Sequence, residues 1–170
     1  LEEFSVRFRS LGFIAFLASG SLAQAGLVNG DFEEPPVSIG AFTTIGIEGW
    51  SGFGTSGVWY PGSASFNSVP QGNQIGYLNG NRLAQQSNEA VVNGTQTVTF
   101  WLGRRKDGSE GNTTVNLYAG GTVANGAVTG GTLLDSVSVL ASEISAGGWS
   151  PYEVSYTATD SDPLIGELIT

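Results

Sequence analysis

Two aromatic residues with polar neighbours offer the most direct chemistry in this chain. Within residues 95–103 and 113–119, strict alternation sets Trp101 and Tyr118 apart from Val98, Phe100, Leu102, Val115 and Leu117. If the two stretches are neighbouring strands, Trp101 and Tyr118 make a flat apolar platform, flanked by the hydrogen-bonding groups of Thr99 and Asn116. A sugar ring stacks on such a platform. The blander alternative is a face packed beneath a loop, since Trp and Tyr are largely buried on average. Trp59 and Tyr60, in a loop-rich stretch, are a second contact pair.

The carboxylates suggest a different chemistry. Asp31 and Glu33 share a strand parity near the beginning of the chain, and Asp160 and Asp162 lie near its end. Calcium prefers carboxylate and carbonyl oxygens, so these four are the candidate ligands of a structural calcium. A solvated acidic edge would look the same in sequence. Glu48, Glu143 and Glu153 are too scattered to announce the paired carboxylates of a glycosidase.

Composition removes much else. The chain has no Cys and no His. A thiol nucleophile, a Ser-His-Asp triad and a zinc site of the usual ligands are therefore excluded. Net charge is −9, which repels phosphate backbones and argues against nucleic acid. Arg104, Arg105 and Lys106 run straight into Asp107 and read as a solvated hairpin end. The G-x-G-x-x-G spelling of residues 52–57 is followed by Val58-Trp59-Tyr60-Pro61, which cannot open the helix a dinucleotide needs.

The elements that would position these residues are short strands. Turn-forming pairs Asn29-Gly30, Asn79-Gly80, Asn93-Gly94, Asp107-Gly108 and Asn125-Gly126 punctuate the chain. Strands are expected over residues 27–32, 42–47, 58–60, 75–78, 82–86, 95–103, 113–119, 133–140 and 152–158. Residues 95–103 and 113–119 should form a hairpin, and 119–132 a flexible loop. Regular turns between short strands predict an all-β, antiparallel two-sheet β-sandwich of the jelly-roll kind.

Ahead of it, Arg7 and Arg9 precede an apolar run over residues 11–22, and Ala23-Gln24-Ala25 offers a cleavage site. That is the pattern of a cleavable helical signal peptide over residues 1–25, which leaves 26–170 as one domain of an exported, extracellular or cell-surface protein. No later stretch has the length and apolarity of a membrane span.

Several phrases together resemble a family. Leu27-Val-Asn-Gly-Asp-Phe-Glu33 with Gly49-Trp50, then Gln74-Ile-Gly-Tyr-Leu-Asn-Gly80, Leu83-Ala-Gln85 and Phe100-Trp-Leu-Gly-Arg104 are similar to carbohydrate-binding-module-like, galactose-binding-domain-like jelly rolls. With Val115-Asn-Leu-Tyr-Ala-Gly-Gly121 and Asp162-Pro-Leu-Ile-Gly166 the order resembles bacterial surface proteins that carry a PEP-CTERM sorting signal. The resemblance implies a core position for Trp50, a structural calcium near the joined chain ends, and one further strand after residue 170. An edge left open by that strand would promote self-association. The resulting expectation is a secreted, non-catalytic surface or matrix protein that binds polysaccharide or a cell-surface glycan by aromatic stacking. A purely structural or adhesive domain is the alternative, and a glycan-active enzyme ranks last.

Overall fold

The computed structural model describes residues 11–15, 26–44, 46–108 and 111–170. The described chain is almost entirely β-structure, with one 3-10 turn at Ala141–Glu143. Its strands are β1 (Leu11–Ala15), β2 (Phe42–Thr43), β3 (Ser51–Phe53), β4 (Ser56–Trp59), β5 (Ile75–Leu78), β6 (Arg82–Ala84), β7 (Gly94–Gly103), β8 (Thr113–Ala119), β9 (Thr122–Ala124), β10 (Ala127–Thr129), β11 (Thr132–Val139) and β12 (Trp149–Ala158). One layer is a six-stranded sheet in the order β12-β7-β1-β5-β4-β2, with every neighbouring pair antiparallel. The pairs β11-β8 and β3-β6 pack opposite it, and β9-β10 forms a separate ribbon. This is the antiparallel sandwich that the turn pattern predicts.

Alternation explains how the core forms. In β7 and β12, Val98, Phe100 and Leu102 share a face with Tyr152 and Val154, and meet Leu117, Ala119 and Val139 from β8 and β11. Phe100 and Leu102 are fully buried. A second cluster joins Phe32, Ile47 and Val58 to Trp50, whose ring lies 5.0 Å from that of Phe32. At the tip of the ribbon, Asn125 (φ 49°) and Gly126 (φ 66°) form the left-handed pair that a tight hairpin requires.

Three expectations change. Residues 27–32 are not a strand. Asn29 and Phe32 take positive φ, and Phe32 N–H closes a turn onto the Asn29 carbonyl at 3.1 Å. The 119–132 loop is itself the paired ribbon β9-β10. β7 and β8 are not a hairpin: β7 lies between β12 and β1, while β8 pairs with β11. The expected leader over residues 1–25 lies mainly outside the described residues; Leu11–Ala15 within it is β1.

Candidate active site

The outer face of the six-stranded sheet gathers aromatic side chains from strands far apart in sequence. Register aligns Phe42 with Trp59, Trp59 with Ile75, and Trp149 with Gly103, two residues from Trp101. Since side chains two residues apart share a face, Phe42, Trp59, Ile75, Tyr77, Trp101 and Trp149 all project to one side. Val58, Leu78, Phe100 and Leu102 point inward. Contact geometry agrees. Phe66 lies 5.9 Å from Trp59 and stacks on Trp149 at 4.8 Å. Phe42 meets Tyr77 edge-on at 5.8 Å.

A polar frame holds this face. The segment over residues 61–70 lies across it, with Lys106 Nζ donating to the Ser63 carbonyl (2.7 Å) and Trp149 Nε1 to that of Ser68 (2.8 Å). Arg105 places its guanidinium carbon 5.3 Å from the centre of the Trp59 ring and pairs with Asp107 at 2.6 Å. The basic run is therefore partly spent on this aromatic cluster instead of being only a solvated hairpin end. Gly103 has no side chain because a Cβ there would sit 2.6 Å from the Trp149 ring.

Tyr77 stands apart. It is 5% exposed, and its hydroxyl meets no hydrogen-bond partner among the described residues. Burial raises the pKa of the phenol above its ordinary value. A buried donor without a partner costs stability and calls for an explanation.

The inner side of the same sheet borders a cavity of about 370 Å³ between β6 and β8. Trp50, Phe100, Val115, Leu117, Val154 and Tyr118 are among its walls. Among the described residues no Asp or Glu lines it. Gln85 closes one side, accepting from Val28 N–H at 2.9 Å and donating to the Val28 carbonyl at 2.8 Å.

The expected residues are distributed differently from the sequence reading. Trp101 lies on the outer aromatic face, but Tyr118 lines the cavity on the far side of the sheet, so the two make no common platform. Asn116 accepts a hydrogen bond from Ser136 Oγ at 2.7 Å. Trp59 belongs to the aromatic face, and Tyr60 donates to Asn73 Oδ1 at 3.3 Å nearby. The carboxylates do not converge. Asp31 Oδ1 accepts from Glu33 N–H at 3.5 Å, while Glu33 Oε1 accepts from Asn73 and Gln74 N–H at 2.7 and 2.8 Å. Asp160 instead accepts from Asn93, and Asp162 from Tyr156 Oη at 2.6 Å and Leu164 N–H at 2.9 Å. No group of three or more Asp, Glu, His or Cys side chains forms among the described residues, and the four expected calcium ligands have the separate hydrogen-bond partners just given. Tyr77 and Trp149 also lie on the outer face. Their shared face depends on which strands pair, and local alternation alone does not reveal that.

Comparison with known proteins decides between the readings of this fold. A family profile described as HpiC1-like, HpiC1 cyclase, matches residues 23–170. The chain belongs to the HpiC1-like cyclase family. It is similar to the Stig cyclase Fisc from Fischerella sp. TAU, solved in complex with (3Z)-3-(1-methyl-2-pyrrolidinylidene)-3H-indole, with 20% identity, a TM-score of 0.66 and 85% of each chain covered. A cyclase from Fischerella sp. TAU (19%, TM-score 0.66, 92% of this chain and 85% of that one) and an apo cyclase from Fischerella sp. (19%, TM-score 0.65, 92% and 84%) share the fold. No curated protein matches. Membership in this cyclase family overturns the resemblance to PEP-CTERM surface proteins and carbohydrate-binding modules. The expectations of a non-catalytic protein and of a polysaccharide partner fall with it. Among the described residues no helix is long and apolar enough to cross a membrane.

Proposed function

We propose that this protein is a cyclase whose active site is the outer aromatic face of the six-stranded sheet. Its substrate would be a small, largely apolar molecule bearing a flat nitrogen heterocycle of the indole kind. The observation that carries the reading is the convergence of Trp59, Tyr77, Trp101 and Trp149, from four different strands, on one side of the sheet. Family membership supplies the reaction class, and the indole compound in the Fisc structure suggests the chemistry of the ligand.

Cyclisation joins two parts of one molecule, so holding the substrate folded removes much of the entropic barrier. Flat aromatic walls suit that task. Indole rings stack offset or edge-on against Trp and Phe, and the electron-rich ring faces stabilise positive charge that develops during ring closure. The Tyr77 hydroxyl, protonated at neutral pH and without a partner among the described residues, would donate a hydrogen bond to a substrate heteroatom that displaces what now covers it.

The inner cavity supports a second reading, because about 370 Å³ lies within the range of small-molecule sites. Its mixed walls, aliphatic residues beside Arg82, Gln85 and Asn116, offer fewer flat aromatic surfaces than the outer face. Calorimetry with the compound found in Fisc separates the two. Trp101→Ala should weaken its binding about tenfold, equivalent to about 1.4 kcal/mol. Val115→Phe, which narrows the cavity, should leave it unchanged. The reverse pattern would move the site indoors.

A further inference from the structure

One segment already lies on the outer aromatic face and occupies it with a ring of its own. Residues 61–70 read Pro-Gly-Ser-Ala-Ser-Phe-Asn-Ser-Val-Pro, small and polar in the middle apart from Phe66 and Val69. Ser63, Ala64, Asn67 and Ser68 are exposed, whereas Phe66 is 2% exposed. Its ring stacks on Trp149 at 4.8 Å, lies 5.9 Å from Trp59 and packs with the fully buried Ile75. A phenyl ring thus sits between two tryptophans of the face, where offset stacking would hold any flat ring of similar size.

The attachments of this strap are few and run to its main chain. Lys106 donates through its N–H to the Ser65 carbonyl at 2.9 Å and through Nζ to that of Ser63 at 2.7 Å. Asn67 N–H donates to the Gly147 carbonyl at 2.9 Å, and Trp149 Nε1 to the Ser68 carbonyl at 2.8 Å. Ser63, Asn67 and Ser68 are exposed, so water readily replaces these bonds. At one end stands Gly62. A Cβ there would meet nothing within 4 Å, and its φ is not left-handed, so neither space nor strain calls for glycine. What glycine adds at such a position is backbone freedom, the property of a hinge. Exposed bonds around one buried anchor put the strap at the low-stability end of the fold.

We propose that residues 62–68 are a gate over the outer aromatic face, with Phe66 holding the place of a flat substrate ring until the strap swings out. The inference rests on the reading of that face as the active site. Closed, the strap shields Trp59 and Trp149. Open, it leaves a slot between two indole rings for a planar aromatic or heteroaromatic group. Exchanging one ring for another conserves the stacking contacts, so the ligand offsets what opening loses. A saturated ring cannot do this, and the gate therefore selects flat rings. Apparent affinity is the intrinsic affinity reduced by the fraction of molecules that are open, so whatever favours opening tightens binding.

Calorimetry of the full chain with (3Z)-3-(1-methyl-2-pyrrolidinylidene)-3H-indole tests the gate. Phe66→Ala removes the competing ring and should tighten binding about fivefold or more. Lys106→Met removes the Nζ bond to the strap without touching a ring of the face, and should tighten it about threefold. Ser65→Cys with Lys106→Cys introduces the chain's only two thiols, at residues whose main chains are hydrogen-bonded. Oxidised, that bridge holds the strap shut and should weaken binding about tenfold, and reductant should restore it. If Phe66→Ala fails to fold, the bridged protein decides alone. The indole N–H resonances of Trp59 and Trp149 separate two failures. Should they shift on titration while bridged and reduced proteins bind equally well, the gate is overturned and the active-site reading stands. Should they stay unmoved, the active-site reading falls and the gate falls with it.

Discussion

Replacing Tyr77 with Phe should make the protein more stable and a poorer binder of its ligand. The substitution leaves the ring edge-on to Phe42, 5.8 Å away, and removes a single oxygen. That oxygen is buried in a residue 5% exposed and has no partner among the described residues. An unpaired buried hydroxyl costs about 1–3 kcal/mol. With ring packing retained, Tyr77→Phe should gain about 1 kcal/mol, which raises Tm by roughly 2–4 °C in a chain of this size. Alkaline pH sharpens the test. Burial raises the phenol's folded pKa above its unfolded value, so its contribution is full below about pH 10, where both states hold the proton. It is lost as pH rises toward the folded pKa, because the unfolded chain ionises first. The advantage of Phe should therefore widen above about pH 10. Thermal unfolding followed by circular dichroism on either side of that value, together with affinity for the compound seen in Fisc, measures both effects. A lower Tm for Tyr77→Phe would show that the hydroxyl is satisfied, and would refute its assignment as a group reserved for ligand.

Three further perturbations reach other parts of the account. Gly103→Ala puts a Cβ within 2.6 Å of the Trp149 ring, so it should disturb the Phe66–Trp149 stack, alter near-ultraviolet circular dichroism and weaken ligand binding without unfolding the sandwich. Gln85→Leu strands the Val28 N–H and carbonyl beside the cavity and should cost about 1–3 kcal/mol in denaturant titrations. The Asp162 carboxyl is held below the usual carboxylate range by the Tyr156 hydroxyl first and by Leu164 N–H second. Its contribution is thus present above the unfolded carboxylate pKa and lost as pH falls through the depressed folded one. The stability difference between wild type and Asp162→Asn should shrink steadily as the solution is acidified below about pH 4, and a constant difference would contradict the pairing.

Local pattern carried the strands but not their partners. β8 falls where alternation predicts it, because Leu117 and Ala119 face the core while Thr114 and Asn116 are exposed. Alternation says nothing of which strand lies alongside, and nearness in sequence wrongly suggested that β7 and β8 form a hairpin. That error paired Trp101 with Tyr118, which lie on opposite sides of the sheet, and hid the face that Trp101 shares with Trp149. Function was misread because phrases such as Gly49-Trp50 encode turns and core contacts of the sandwich, and a sandwich serves many chemistries.

The four tryptophans make a direct test, since Trp59, Trp101 and Trp149 belong to the outer face and Trp50 lines the inner cavity. Their indole N–H resonances can be followed by nitrogen-15 NMR as the full chain is titrated with (3Z)-3-(1-methyl-2-pyrrolidinylidene)-3H-indole. An active site on the outer face predicts saturable shifts at Trp59, Trp101 and Trp149 with Trp50 unmoved. Shifts confined to Trp50, or none at any of the four, would contradict it.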